Sequence, residues 1–184
     1  MATILGPDDF IDMPWKNGGG MTRELYRLNG GPGEDFALRL SMARVGQSGP
    51  FSFFPGIDRV LMLVEGEGFE LGLDDGSRRR LAEPFVPFRF AGEQAVDCRL
   101  LGGECLDFNL MTARTWGRAE PIVHALAAGR GYHGEPGPGR LLYLHGPAPR
   151  LWVLAPGETL ELEPGDQPRI LVEILLYPLA EHGA

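Results

Sequence analysis

The stretch RVLMLVEGEGFELGLDDG, from Arg59 to Gly76, indicates the fold of this 184-residue chain. It contains two apolar runs of strand length, which are separated by Gly-Glu-Gly and followed by the turn-forming sequence Asp-Asp-Gly. Short apolar runs between glycine-rich turns are typical of the strands of an all-β protein. Because Gly-Glu-Gly joins two such runs directly, we expect it to form the turn of a β-hairpin.

Runs of the same kind lie on both sides of this stretch. They are FALRLSMARV (residues 36–45), AVDCRLLGG (95–103), ECLDFNLM (104–111), RLLYLHG (140–146), RLWVLAPGETLELEPGD (150–166) and RILVEILLYP (169–178). Helical periodicity is weak, since the best helix candidate, residues 120–129, fits a strand and a loop equally well. We therefore predict an all-β chain with two antiparallel β-barrel or jelly-roll halves.

The segment AGRGYHGEPGPGR, residues 128–140, is the one change of composition long enough to mark a domain boundary. Glycine and proline dominate it, as they do in loops between folded units. We expect an N-terminal half at residues 1–127 that carries a binding pocket. A C-terminal segment at residues 128–184 is expected to complete the second half.

Charge and composition limit the partners of this chain. A formal net charge of −8 and a pI near 5.0 disfavour binding to nucleic acid and to anionic membranes. Two cysteines are too few for a disulfide framework, and no apolar run is long enough to span a bilayer. The first residues are acidic, whereas a secretory signal is basic there. We expect a cytoplasmic protein with no nucleic-acid or membrane partner, and the sequence is compatible with a homodimer.

The histidines do not form a metal-binding pattern. All four lie in the C-terminal half, without His-x-His or His-x-x-x-His spacing: His124, His133, His145 and His182. The sequence GQSGP, residues 46–50, does not match the nucleophile elbow Gly-x-Ser-x-Gly. We therefore expect no metal site and no cofactor.

Three consecutive glycines stand in PWKNGGGMTREL, residues 14–25. Each of them loses more backbone freedom on folding than any other residue would, so the bare backbone must have a local use. A Walker phosphate loop is excluded because Lys16 precedes the glycines instead of following them. The alternatives are a flexible linker, a tight turn between strands, or a loop whose backbone approaches a ligand.

Two further segments carry candidate site residues. In SGPFSFFPGIDR, residues 48–59, three phenylalanines precede Arg59. The rings fit a plug at one end of a barrel, and a guanidinium beside aromatic walls also suits binding of a carboxylate through two parallel hydrogen bonds. In LDFNLM, residues 106–111, Asp107 and Asn109 share one face of a strand, which faces either solvent or a cavity. The pattern favours solvent.

Together these segments resemble the HutD/Ves family of bacterial cupin-like proteins. The resemblance rests on PWKNGGGMTREL, on GPFSFFPGIDR with the following LMLVEGEGFEL, and on PFRFAGE followed by LDFNLM, in order over residues 3–115. The C-terminal half resembles the family by pattern only, through LAPGETLELEPGDQ. The resemblance implies a bicupin and an association with histidine utilisation or, for Ves-type relatives, with stress. Metal-binding cupins carry histidines in two motifs, and the corresponding stretches here contain none.

On this resemblance we expect a metal-free protein that binds a small carboxylate of histidine utilisation, urocanate or N-formylglutamate, and so modulates the pathway. The expected ligand-binding residues are Trp15, Lys16, Asn17, Gly18, Glu24, Phe53, Arg59 and Asn109. Neither Lys16 nor Arg59 is expected deep in the core. The alternatives are an enzyme with Glu24 as general base, a protein-interaction scaffold, and a purely structural loop in which Trp15 caps the core.

Overall fold

The computed structural model describes residues 2–180, and their regular structure consists of β-strands and one 3-10 turn, Pro7–Asp9. The strands are β1 (Thr3–Leu5), β2 (Ile11–Pro14), β3 (Gly20–Leu28), β4 (Leu38–Val45), β5 (Gly49–Pro50), β6 (Ile57–Glu65), β7 (Phe69–Leu73), β8 (Arg78–Leu81), β9 (Phe88–Ala91), β10 (Val96–Leu100), β11 (Cys105–Ala113), β12 (Gly117–Leu126), β13 (Tyr132–Gly134), β14 (Arg140–His145), β15 (Arg150–Leu154), β16 (Leu160–Leu162) and β17 (Arg169–Pro178). All their pairings are antiparallel. The all-β prediction is confirmed. No helix that could cross a membrane occurs among residues 2–180.

The described residues divide into two compact units, one formed by residues 11–116 and one by residues 2–10 with 117–180. The sequence analysis predicted this division at a later point, after residue 127. The difference comes from β12, which pairs with β17 along its whole length and so belongs to the C-terminal unit. The beginning of the chain joins the same unit because β1 pairs with β15.

The N-terminal unit contains two sheets. One has six strands in the order β2-β3-β4-β11-β6-β9, and the other has four in the order β5-β10-β7-β8. A cluster of buried apolar side chains joins the two sheets: Leu61, Leu63, Phe69, Leu71, Leu81, Phe90, Val96, Cys98 and Cys105. Cys98 of this cluster also borders the cavity described below.

The sequence Gly66-Glu67-Gly68 is not the turn of a hairpin, contrary to expectation. Strand β6 pairs with β11 and β9, whereas β7 pairs with β10 and β8, so these residues carry the chain from one sheet to the other. Residues 59–64 of β6 are all buried, because β6 lies between β11 and β9 and both faces of the sheet are covered there. The apolar pattern indicates two strands, but pairing depends on residues far along the chain.

Alternation in β4 and β11 places polar side chains inside the N-terminal unit. The two strands pair in a register that sets Ser41 opposite Asn109 and Ala43 opposite Asp107. Residues two apart in a strand lie on the same face of the sheet, so these four side chains all lie on the face that borders the cavity. The residues between them are apolar and buried on the other face, as Phe108 shows with 0% exposure.

The C-terminal unit has a five-stranded sheet, in the order β1-β15-β14-β17-β12, and a two-stranded sheet, β13-β16. Its core is apolar, around Leu142, Leu154 and Leu171. A buried ion pair joins Arg140 Nη1 to Glu173 Oε1 at 2.8 Å. His182, which was considered as a metal ligand, lies outside the described residues.

Candidate functional site

A cavity of about 640 Å³ lies within the N-terminal unit. Its size falls within the range of small-molecule sites, roughly 300 to 1,000 Å³. The lining side chains come from the loop between β2 and β3, the inner faces of β4 and β11, and the segment before β6. They are Met13, Pro14, Trp15, Lys16, Asn17, Gly19, Thr22, Arg39, Ser41, Ala43, Val45, Gln47, Ser48, Gly49, Pro50, Phe51, Ser52, Phe54, Arg59, Cys98, Asp107, Asn109 and Met111.

Arg59 is buried in the wall of this cavity, with only 4% of its surface exposed. Its guanidinium carbon lies 4.8 Å from the ring centre of Phe90, 5.3 Å from Phe51 and 5.5 Å from Phe54. Nη1 donates a long hydrogen bond of 3.3 Å to the carbonyl of Ser52, and Nε has no hydrogen-bond partner among residues 2–180. Burial lowers the pKa of Arg59 to about 10, so the side chain remains a cation at neutral pH. The expectation that Arg59 lies outside the core is wrong, because three aromatic faces enclose it.

Asp107 and Asn109 also lie in the wall, with 2% and 7% exposure. The interpretation that they face solvent is wrong, since β11 is an inner strand of the six-stranded sheet and this face borders the cavity. Within the part of the chain that the structure describes, neither Oδ1 atom has a hydrogen-bond partner. Burial raises the pKa of Asp107 to about 7, against the opposing effects of the Arg59 charge and a hydrogen bond from the Ala43 backbone.

Glu24 is engaged by arginines and does not line the cavity. Its Oε2 accepts a 2.7 Å hydrogen bond from Arg39 Nε and lies 3.8 Å from Arg27 Nη1. Glu24 thereby fixes Arg39, whose own side chain does reach the cavity wall. A carboxylate held in this way is poorly placed to remove a proton from a ligand in the cavity.

The triple-glycine loop is both a turn between paired strands and part of the cavity wall. Gly18 adopts a φ of +72° and donates a 3.0 Å hydrogen bond to the carbonyl of Trp15. Trp15 Nε1 donates to Thr22 Oγ1 at 2.8 Å, which fixes the ring. At Gly20 a Cβ would lie 2.3 Å from the carbonyl oxygen of Arg44 and 3.0 Å from the Trp15 ring. The bare backbone is therefore required for the turn and for close packing of Trp15.

We expect Gly20→Ala to destabilise the protein by about 1 to 3 kcal/mol, since a backbone atom blocks the added methyl group. This corresponds to a decrease of roughly 2 to 12 °C in Tm for a chain of this size. Thermal unfolding followed by circular dichroism measures the change. Gly103→Ala is the matched control, because a Cβ at Gly103 meets nothing within 4 Å. Equal Tm values for Gly20→Ala and wild type would contradict the packing described here.

The structure brings most of the predicted site residues together and leaves three outside the cavity wall. Trp15, Lys16, Asn17, Arg59 and Asn109 line the cavity. Those outside its lining are Gly18, Glu24 and Phe53, the last with 63% exposure.

The expected ligand-binding residues omit other residues of the wall, chiefly Phe51, Phe54, Arg39 and Asp107. The sequence FSFF does not show which rings point inward. Arg39 could have been found from alternation, because it shares a strand face with Ser41 and Ala43 in FALRLSMARV.

The cavity lining does not suit a metal ion. Of the lining residues, Asp107 supplies a carboxyl group, but Arg59 and Arg39 add positive charge beside it. Burial raises the pKa of the Cys98 thiol to about 12, so it stays protonated and is a poor ligand and nucleophile. No group of three histidine, cysteine, aspartate or glutamate side chains converges among residues 2–180. The charge of the wall favours an anion instead.

Comparison with known proteins identifies a matching family and several relatives. A model of the HutD family matches residues 7–173. An uncharacterized 21.2 kDa protein in the hutC 3' region of Pseudomonas putida is 46% identical over 110 residues, which are 60% of this chain and 57% of that protein. The protein Ves of Cronobacter sakazakii is 41% identical over 110 residues, 59% of each chain. The matched region thus spans less than two thirds of either relative.

Solved structures extend the likeness over most of the chain. HutD from Pseudomonas fluorescens SBW25 superimposes with a TM-score of 0.74 at 30% identity, covering 95% of this chain and 98% of that one. Oxalate decarboxylase from Lactobacillus farciminis has a TM-score of 0.61 at 10% identity, covering 96% and 86%. The second likeness shows the fold alone, and it confirms the cupin-like architecture.

Proposed function

Because this chain belongs to the HutD family, we propose that it is a metal-free protein that binds a small carboxylate metabolite of histidine utilisation in its N-terminal cavity. The position of the Pseudomonas putida relative beside hutC supports the link to this pathway. Urocanate and N-formylglutamate are the leading ligands, since both are small carboxylates of histidine degradation. In this role the protein senses or buffers the metabolite and so modulates the pathway.

The buried guanidinium of Arg59 is the observation that carries this proposal. It lines the cavity, its Nε lacks a hydrogen-bond partner, and its other neighbours are largely aromatic faces. Arginine binds a carboxylate through two parallel hydrogen bonds, which are stronger than neutral ones. A carboxylate ligand would therefore complete the bonding of Arg59. The protein as a whole carries a charge of −8, so attraction of anions depends on this local site.

Binding without turnover is the better-supported form of this function. The catalytic alternative needs Glu24 as a general base, yet Glu24 is hydrogen-bonded to Arg39 and absent from the cavity lining. The wall instead offers cations for the carboxylate and rings for the rest of the ligand, with Trp15 held in place by Thr22. These groups recognise a ligand, and among residues 2–180 Asp107 is the one carboxyl group of the wall that a catalytic alternative would use in place of Glu24.

A thermal-shift series with urocanate, N-formylglutamate and unrelated dicarboxylates tests this proposal. A ligand at a hundred times its Kd should stabilise the fold by about 2.7 kcal/mol, which raises Tm by roughly 5 to 10 °C at this chain length. Lys16→Ala should weaken binding without lowering the Tm of the free protein, because Lys16 is exposed at the cavity. Equal shifts with every anion would contradict a specific site.

The same samples distinguish binding from catalysis. We expect no release of formate from N-formylglutamate and no loss of urocanate absorbance over hours of incubation. Turnover that disappears in Glu24→Gln would establish the enzyme instead of the binding protein.

A further inference from the structure

The cavity wall contains two buried acceptor atoms to which a simple carboxylate ligand offers no hydrogen-bond donor. They are Asp107 Oδ1 and Asn109 Oδ1, neither of which has a hydrogen-bond partner. Both residues are more than nine-tenths buried, and both line the cavity that contains Arg59. A buried polar atom without a partner costs free energy, which a ligand with a matching group would recover.

The strand register sets the spacing of the backbone positions from which Arg59 and Asn109 enter the wall. Arg59 lies opposite Met111 in the pairing of β6 with β11, and Leu61 lies opposite Asn109. Asn109 therefore lies two residues along β11 from Met111, the residue opposite Arg59. At about 3.4 Å per residue, this step is roughly 7 Å long.

We propose that the cavity selects a ligand that carries an N–H donor in addition to its carboxylate, as in an N-acyl amino acid or an azole-substituted acid. The carboxylate binds Arg59, and the N–H donates to Asn109 Oδ1. This inference rests on the proposed function and adds a specificity requirement to it. A plain dicarboxylate of the same length fails the requirement, because its second carboxylate offers no donor to Asn109 Oδ1.

Matched ligands that differ only at the N–H test this proposal on the wild-type protein. One pair is N-formylglutamate and 2-formyloxyglutarate, in which an ester oxygen replaces the amide N–H. The other is urocanate and 3-(1,3-oxazol-4-yl)acrylate, in which a ring oxygen replaces the N–H. Titration calorimetry gives the Kd of each. We expect the N–H compound of the preferred pair to bind about 10- to 100-fold more tightly, because the ester or oxazole leaves a buried acceptor unpaired.

Substitution of the acceptors identifies the atoms responsible. Asn109→Leu removes the acceptor at similar volume and should reduce the discrimination within the preferred pair to less than about threefold. Asn109→Asp keeps an acceptor oxygen at the same position and should preserve the discrimination. Discrimination that persists unchanged in Asn109→Leu would overturn the assignment to Asn109.

The outcomes separate this inference from the function on which it rests. If both members of each pair bind with equal Kd, the N–H requirement is wrong, whereas the carboxylate site stands. If none of the four compounds binds, the proposed function fails and this inference fails with it. The comparison on wild type needs no variant to fold.

Discussion

Replacement of Arg59 by methionine is expected to remove carboxylate binding while leaving the ligand-free protein folded at pH 6. Arg59 is 4% exposed among three phenylalanine rings. Methionine fills similar space and packs well against aromatic rings. Removal of one partner destabilises a buried ion pair because the other charge is left uncompensated, but at pH 6 the buried carboxyl of Asp107 retains its proton and needs no counter-ion. A buried guanidinium with few hydrogen bonds is itself costly to the fold, which a role in binding explains.

The expected loss of affinity is large. Truncation of one partner of a buried, hydrogen-bonded charge pair costs about 2 to 5 kcal/mol. This corresponds to a decrease of roughly 30-fold or more in affinity, so the thermal shift with ligand should disappear. Arg44→Met is the matched control, because Arg44 lies outside the cavity lining in an exposed ion pair with Glu104. A wild-type shift in Arg59→Met would exclude the guanidinium as the binding group, and unfolding of the variant would make Arg59 a structural residue.

The second large effect concerns pH. We expect the ligand-free protein to become less stable as pH rises from about 4 to about 7, because burial raises the pKa of Asp107 from 3.8 to about 7. In this window the native state retains a proton that the unfolded state has lost, so the free energy of unfolding falls with increasing pH. The fall is at most about 1.4 kcal/mol per pH unit for one group. Well above pH 7 Asp107 is deprotonated in both the native and the unfolded state, so its effect on the free energy of unfolding no longer changes with pH.

Asp107→Asn should remove this dependence. Between pH 5 and 7 the wild-type free energy of unfolding should fall by up to about 2.7 kcal/mol relative to the variant. Carboxylates with a lowered pKa, such as Glu93, act in the opposite direction, but they lose their stabilising effect only at lower pH. Denaturant titrations at several pH values measure the difference, and the exposed Asp97→Asn should keep the wild-type slope. Parallel profiles for wild type and Asp107→Asn would contradict an uncompensated buried carboxyl group.

Local patterns predicted the strands and several site residues, because alternation and turn residues act over short distances. Arg59 was recognised from the aromatic residues before it, whereas Asn109 was included on the family resemblance, and both line the cavity. The sequence could not show that β6 and β7 lie in different sheets, since pairing with β11 and β10 involves residues far along the chain. For the same reason, the alternation in β11 did not reveal that its polar face is buried.

Side-chain partners were the other feature that the sequence could not supply. Glu24 shares a strand with Thr22, which does line the cavity, but Arg39 of the neighbouring strand binds its carboxylate. Phe53 was chosen among three nearby rings, and the backbone between β5 and β6 turns it outward while Phe51 and Phe54 face Arg59. Both differences arise from tertiary contacts and not from local propensity.

The central claim is that the cavity around Arg59 binds one small carboxylate, and a calorimetric titration of the purified protein with N-formylglutamate and urocanate at pH 7 tests it most directly. We expect at least one of them to give a saturable isotherm with one ligand per chain. Heats equal to those of dilution for both compounds, up to millimolar concentration, would contradict the claim.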